Sequence, residues 1–344
     1  MSIVIVGGGA IGLQVAGRLT LGGVACAVLG RGKAMRTLAV SPLTITFPDG
    51  PRTAQVRVAE AMADLPATCR RPALAMLCVK GYDTAGALAT LRELNPDYIL
   101  TLQNGVGNEE RLVAEFGAQR IISGAITTSV EVHGESWIAI TKLGGIGLAP
   151  LEATTRLDRW VALLREGGFP VRCYRDYRAL KWSKALINMF GNAQAAILDM
   201  PIDQIYADAR LVDLDLRGAR ETLALMADLG VRPLNLFSYP TATLAAVARV
   251  APNAVLRPLM RRIVGSGRGG KEPSLLRDLR AGMPGSEGEQ LYGAVAHAAA
   301  GRGMLTPVNA ALWRILGGIV RGEIAWDAYR SQPERLLAEV GSGK

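Results

Sequence analysis

Short apolar runs alternate with helical spacing through the first half of the chain. Ile3–Val6 is a continuous apolar run that ends at glycines, and Ile11–Leu21 then reads as a helix. Further apolar runs cover Val24–Leu29, Ala73–Val79, Tyr98–Leu102, Ile121–Ile126 and Trp137–Ile140. Strands without polar alternation, separated by helices, predict a parallel sheet covered on both faces. Beyond about residue 172 the pattern becomes helical, over Trp182–Leu198, Leu211–Leu229, Thr243–Val250, Glu289–Ala300 and Asn309–Val320. Gly230 and Gly301 punctuate two of these runs, as helix ends do. The pattern therefore predicts an α/β protein. A doubly wound parallel sheet occupies 1–172, an all-α domain occupies 173–340, and a ligand cleft lies between them. The stretch Gly265–Gly270 reads as a mobile loop and the tail Gly341–Lys344 as frayed.

A chain of 344 residues exceeds the size at which one core stops growing, which also favours two domains. Its charge, 39 Lys+Arg against 30 Asp+Glu, gives +9. Part of the excess lies in Arg257, Arg261, Arg262, Arg268, Lys271, Arg277 and Arg280, against Glu272 and Asp278. A solvated face accounts for this stretch as well as an anionic ligand does. Aromatics make up only 5% of the chain, which argues against a nucleic-acid surface with interleaved stacking residues. No run of about 18 apolar residues escapes glycine interruption, so a membrane span is not expected. The uncharged N-terminal stretch lacks a basic leader and is rich in glycine, unlike a signal peptide. Cys26, Cys69, Cys78 and Cys173 show neither CxxC spacing nor a histidine cluster. Reduced thiols in a cytoplasm, with no metal centre, are the simple expectation.

Gly7-Gly8-Gly9-Ala10-Ile11-Gly12 fits GxGxxG. Alone the motif is weak, but here it leaves an apolar strand and opens a helix, the context of a Rossmann dinucleotide cradle. Gly7 permits the tight turn, Gly9 lets backbone approach a pyrophosphate, and Gly12 lets helix and strand pack closely. An NAD binder usually carries an acid at the end of the second strand for the ribose 2′-hydroxyl. Gly30-Arg31-Gly32-Lys33 stands there instead. Arg31 can form a charged pair with a 2′-phosphate, which predicts NADP, with Lys33 assisting or simply solvated. Lys80 follows the Ala73–Val79 run, on the sheet edge where ligands bind, although an ordinary exposed lysine would look the same.

Lys184, Asn188 and Asn192 stand at i, i+4 and i+8, one face of a single helix. A polar face is normal on an amphipathic helix. Two asparagines, however, are poor helix formers, and they favour a polar site. The Gln103-Asn104-Gly105-Val106-Gly107 loop follows another strand. Asn104 either offers its amide to a ligand or serves as a turn residue.

Together these pieces resemble the ketopantoate reductase family (2-dehydropantoate 2-reductases). The likeness covers GGGAIG at the N-terminus, Arg31, Lys80, the QNGVG loop, Trp182-Ser183-Lys184 with Asn188 and Asn192, and Pro273-Ser274-Leu275-Leu276-Arg277-Asp278. It continues through Glu287, Gly293 and Thr306-Pro307-Val308-Asn309. The resemblance implies a Rossmann domain plus a helical domain, with NADPH reducing a 2-oxo acid. It implies Lys184 as general acid, Asn188, Asn192 and Ser274 as substrate ligands, and Asn104 touching cofactor and substrate. It places Glu287 at the nicotinamide riboside. The segment before Glu287 is one residue longer than the family pattern, which leaves Glu289 as the other register. Tyr292 replaces a usual Asn, and the chain is longer between about 240 and 272.

The chemistry this implies is hydride transfer to a 2-carbonyl carbon, with a positioned ammonium stabilising and protonating the oxygen. The expected partner is a small 2-oxo acid, in a protein that is a monomer or a homodimer. Two other readings remain open. One is reduction of a different 2-oxo acid, or of an imine as in opine-type dehydrogenases. The other is a non-catalytic NADP sensor, which would have no need of a proton donor such as Lys184.

Overall fold

The computed structural model describes residues 2–237, 239–265 and 272–341. Most of the Gly265–Gly270 stretch, Arg268 and Lys271 of the basic segment, and the tail beyond Gly341 lie outside the described residues. The chain forms two units. One takes Met1–Gln103, Gly107–Lys181 and Leu236–Ser238, and the other takes Asn104–Val106, Trp182–Asn235 and Tyr239–Lys344. The main division therefore falls at Lys181/Trp182, inside the helix Tyr177–Met189, rather than between 172 and 173.

The first unit holds β1 (Ile3–Val6), β2 (Ala27–Leu29), β3 (Leu43–Phe47), β4 (Gly50–Ala54), β5 (Arg57–Ala59) and β6 (Leu74–Leu77). It continues with β7 (Tyr98–Thr101), β8 (Ile121–Ile126), β9 (Ser129–Gly134), β10 (Trp137–Lys142), β11 (Ile146–Pro150) and β12 (Val171–Cys173). Eight strands make the main sheet in the order β12-β11-β8-β7-β6-β1-β2-β5, parallel except where β11 meets β8. From β1 the chain winds outward through β2 to β5, then returns to the other side of β1 as β6. Such a reversal is the switch point at which open α/β sheets bind ligands. The register pairs Ile3 with Leu74 and Val6 with Leu77, so the two strands end level. Their loops, Gly7–Gly9 and Cys78–Lys80, leave the sheet side by side. Every residue of β1 and β6 is buried, as continuous apolar strands in a covered sheet require.

Two expectations need correction. The Val24–Leu29 run is a strand only over Ala27–Leu29, where β1 and β5 flank it. The Trp137–Ile140 run belongs to a separate mixed sheet, β4-β3-β10-β9, rather than to the parallel one. This second sheet lies against the helix Ala10–Leu21. Gly17 of that helix faces Leu43 and Ile45 so closely that a Cβ there would overlap Ile45.

The second unit packs helices around Ala209–Asp228 and Pro307–Val320. Pro307 opens the latter helix. The Glu221 carboxylate accepts from the backbone N–H of Val308 and of Asn309, both at 3.0 Å, filling amides that a helix N-terminus leaves open. The longer region past residue 240 forms the helices Thr241–Val250 and Asn253–Met260. Arg220 pins both by donating to Ala248 O, Ala251 O and Asn253 Oδ1. Much of the basic segment is engaged in the same way. Arg257 pairs with Asp213, Arg261 donates to Tyr206 O and Ala207 O, and Arg280 pairs with Asp199 and Glu272.

One ion pair in the first unit is buried on both sides. Lys181 is 3% and Glu109 1% exposed, with Nζ 3.1 Å from Oε1. Lys181 also donates to Gln103 O at 2.5 Å and to Gly124 O at 3.5 Å, while Ser123 Oγ donates to Glu109 at 2.7 Å. Removing one partner of such a pair strands the other charge, whereas replacing both by apolar groups is often tolerated. Lys181→Met should therefore lower stability by about 3–5 kcal/mol. The double variant Lys181→Met with Glu109→Leu should recover most of that loss. Urea midpoints of the three proteins decide it, and equal losses in the single and double variants would refute the account.

Candidate active site

In the glycine turn of the first unit, Gly7 and Gly12 meet the steric demands that their spacing predicts. Gly7 has φ +113, and a Cβ there would meet the backbone of Cys78 and Val79 at 2.9 Å. A Cβ on Gly12 would overlap the Gly7 carbonyl oxygen, so the helix can lie on the turn only with glycine there. A Cβ on Gly8 would run into the Met35 side chain. Gly9 differs, because a Cβ on it would find no atom within 4 Å. Gly9 is the N-cap of the helix that begins with Ala10 and Ile11, and no side chain caps that end. Amides of a helix N-terminus thus face open space beside Gly9, the arrangement that receives a phosphate.

Three cations stand beyond β2. Lys33 pairs with Glu135, to which Thr37 Oγ1 also donates at 2.6 Å. Arg36 lies 3.5 Å from Glu60. Arg31 is exposed and makes no ion pair among the described residues. Lys33 and Arg36 are thus each engaged with a carboxylate.

At the end of β6, Lys80 is half-buried and its carbonyl accepts from Asp83 N at 2.9 Å. Burial holds the Asp83 carboxyl above its ordinary value, and the Lys80 charge partly offsets this. Burial also pushes the Cys78 thiol up to about 12. Gln103 ties the loops together. Its Nε2 donates to Thr84 Oγ1 at 2.8 Å and to Lys80 O at 3.4 Å, and its Oε1 accepts from Thr101 Oγ1 at 3.1 Å.

The second unit gathers most of the other candidates. Val106 N donates to Gln290 O at 2.9 Å, and Gly105, with φ +82, lies so close to Gln290 that a Cβ would overlap it. This seats the Asn104 loop. Asn188 Nδ2 then donates to Asn104 Oδ1 at 3.2 Å. Lys184, one turn earlier on the helix Tyr177–Met189, is half-buried with Nζ 5.9 Å from the centre of the Tyr239 ring. Next to it, the buried Ser183 accepts from Leu234 N at 2.8 Å and anchors the following loop.

The single-helix row needs correction. The helix stops at Met189, Gly191 turns left-handed with φ +67, and Asn192 begins a second helix, Asn192–Leu198. Asn192 therefore does not continue the face of Lys184 and Asn188. It reaches back instead, donating to Asn188 O at 3.1 Å and Ser274 Oγ at 3.4 Å, and accepting from Leu275 N at 3.2 Å. The break still brings Asn104, Asn188, Asn192 and Ser274 into one hydrogen-bonded chain. Glu287 is 3% exposed. Glu289 is 44% exposed, accepting from Trp313 Nε1 at 2.6 Å beside His297. Among the described residues no group of three or more His, Cys, Asp or Glu is placed to hold a metal ion. No helix among them is long and apolar enough to cross a membrane.

Sequence reasoning missed Gln103, Lys181, Glu109, Asp215 and Tyr292. Gln103 was visible in its motif, and Lys181 was signalled by a charge between Leu180 and Trp182. Tyr292 stood out only as a departure, and nothing local marks Asp215.

Sheet order, glycine turn and helical unit define a protein with a Rossmann-type domain and a helical second domain. A family model described as Ketopantoate reductase PanE/ApbA matches residues 3–153, and one for the C-terminal part of that family matches 176–320. The chain belongs to the ketopantoate reductase family. The 2-dehydropantoate 2-reductase of Pyrococcus horikoshii is 28% identical over 236 residues, 67% of this chain and 75% of that one. Among solved structures, a PanE/ApbA family ketopantoate reductase from Ralstonia eutropha JMP134 superposes with a TM-score of 0.78. It is 19% identical, over 94% of this chain and 99% of its own. A D-mandelate dehydrogenase with NADH and anilino(oxo)acetate also superposes with a TM-score of 0.78, at 17% identity and the same coverages. At those identities the likeness is one of fold.

Two glycines of the cradle should respond oppositely. Gly12→Ala should cost about 1–3 kcal/mol by overpacking against the Gly7 carbonyl. Gly9→Ala, extending into open space, should stay within about 0.5 kcal/mol of the parent. Thermal melts of both variants check this, and comparable losses would mean that Gly9 is not on an open face.

Proposed function

We propose that this protein is an NADPH-dependent 2-dehydropantoate 2-reductase, with Lys184 as proton donor. One observation carries the reading. Asn104, Asn188, Asn192 and Ser274 form one hydrogen-bonded chain, with Lys184 one helical turn from Asn188. Amides and a hydroxyl can hold a hydroxy 2-oxo acid without adding charge, leaving the Lys184 ammonium to complement its anionic carboxylate and carbonyl.

The cradle suits a dinucleotide because Gly9 opens onto free space at an uncapped helix N-terminus. Gly7, Gly8, Gly9, Ala10, Ile11 and Gly12 would hold the pyrophosphate, Arg31 the 2′-phosphate, and Lys80 the strand-end side. A bound NADPH supplies the hydride for C2 of the oxo acid. As negative charge grows on the carbonyl oxygen, the Lys184 ammonium stabilises it and then gives it a proton. Asn104 orients the reacting groups. We assign the nicotinamide riboside to the buried Glu287 and not to Glu289, whose carboxylate is engaged at the surface.

A second reading is favoured by Tyr239, whose ring lies beside the Lys184 ammonium. An aromatic wall there suits an aryl 2-oxo acid. Comparing turnover of ketopantoate and benzoylformate, with NADPH and NADH, separates the two readings.

Losing a charged hydrogen-bond pair costs roughly 1.5–3 kcal/mol. Arg31→Ala should thus weaken NADPH by about one to two orders of magnitude and leave NADH nearly unchanged. Equal loss for both cofactors would remove Arg31 from the 2′-phosphate. Lys184→Ala should lower kcat by roughly 10²–10⁴ while NADPH still binds, because the cradle is built in the other unit. A near-normal kcat across the pH range would place the acid elsewhere, with Lys80 the next candidate.

A further inference from the structure

We propose that Tyr292 and Asp215 are positioning residues that hold the helix break between Asn188 and Asn192, and so set the spacing of the two substrate asparagines. The proposal rests on the reductase reading for its kinetic consequence, though not for its structural one.

A helix interrupted in a protein interior leaves backbone groups without partners at both new ends. Here the break falls at Phe190–Gly191, and two buried side chains take up those groups. The Tyr292 hydroxyl donates to Met189 O at 2.5 Å and accepts from Ala193 N at 3.1 Å, bridging the last residue of one helix and an early amide of the next. Asp215 Oδ2 accepts from Gly191 N at 2.7 Å. The Asp215 carboxylate is fixed in turn by Tyr206 Oη at 2.5 Å and Gln194 Nε2 at 2.6 Å. Tyr292 is 2% and Asp215 7% exposed, so water is a poor substitute for either. Gly191 completes the device. It is left-handed, and a Cβ would lie 2.5 Å from Ile202 Cδ1 and 3.0 Å from the Tyr206 ring.

The consequence falls on the site. Asn188 lies before the break and faces Asn104, while Asn192 lies after it and faces Ser274 and Leu275 N. In a continuous helix Asn192 would stand directly above Asn188. It would then leave Leu275 N and the Ser274 hydroxyl unheld. The geometry of the break therefore fixes how far apart the asparagine amides and the serine hydroxyl are presented.

Tyr292→Phe removes one hydroxyl and keeps the ring. In the full chain, hydrogen–deuterium exchange of peptides covering 186–196 should quicken by about tenfold, with peptides of β1 and β6 unchanged. KM for ketopantoate, or for benzoylformate if that is the better substrate, should rise about five- to thirty-fold. NADPH affinity should stay within about twofold and kcat within about threefold, since the cradle and Lys184 are untouched. Asp215→Asn, which weakens the hold on Gly191, should give the same pattern and serves if the tyrosine variant folds poorly. Unchanged exchange in 186–196 overturns the proposal. So does a fall in kcat at constant KM, the mark of a smaller active fraction and a merely structural role. If the parent reduces neither oxo acid, the reductase reading fails, and the exchange measurement alone decides the positioning claim.

Discussion

A backbone group shut away from water must find a partner, and this constraint shapes the candidate residues of both units. At several places where the chain leaves a strand, breaks a helix or opens one, a side chain bonds the backbone there. Gln103 donates to the Lys80 carbonyl, and Lys181 donates to the carbonyls of Gln103 and Gly124. Asp215 and Tyr292 serve the interrupted helix, and Glu221 fills the first amides of Pro307–Val320. None of these is an exposed pair that salt would screen. For the buried Lys181, Asp215 and Tyr292, losing one partner leaves a desolvated group behind. The candidate residues Lys80, Asn104, Asn188 and Asn192 lie on, or within a few residues of, segments held in this way. Their placement thus draws on buried polar bonds of neighbouring backbone.

What was legible in the sequence follows from how local each signal is. β1, β6, β7 and β8 were readable because a strand covered on both faces needs a continuous apolar run, and glycine or polar residues mark where each run ends. The cradle was readable because Gly7 has a positive φ and Gly12 lies against the Gly7 carbonyl, demands local to the motif that Gly9 does not share. The second sheet was not read, although Pro48-Asp49-Gly50 between Leu43–Phe47 and Gly50–Ala54 is a hairpin signal. Its strands pair partly with β10, far along the chain, and no local pattern announces that partner. Asn253–Met260 escaped because Pro258 sits inside the helix and interrupts the period. The spacing i, i+4, i+8 singled out Lys184, Asn188 and Asn192 on a false premise, a continuous helix. Gly191 between the asparagines was the available warning. Its left-handed turn depends on Ile202, Tyr206 and Asp215, which the local sequence does not reveal.

The same distinction between local and inherited features applies to charge. A net +9 and a run of arginines invite a ligand. Arg257, Arg261 and Arg280, however, are committed to carboxylates or to backbone carbonyls of their own unit. Beyond β2 the same sorting is more informative. Surface pairs such as Lys33–Glu135 are worth little for stability, about 0–1 kcal/mol. They nevertheless change what an approaching anion meets, because a paired cation presents a smaller field than a free one. Glu135 and Glu60 thus act on the cradle by subtraction, dimming Lys33 and Arg36 and leaving Arg31 on its exposed turn. Under the proposed NADPH reading, selectivity for a 2′-phosphate over a 2′-hydroxyl would rest on one guanidinium, whose planar donors match a phosphate better than an ammonium would. A single cation that must be desolvated only by its ligand discriminates more sharply than a diffuse basic patch, which would attract any anion and choose among none.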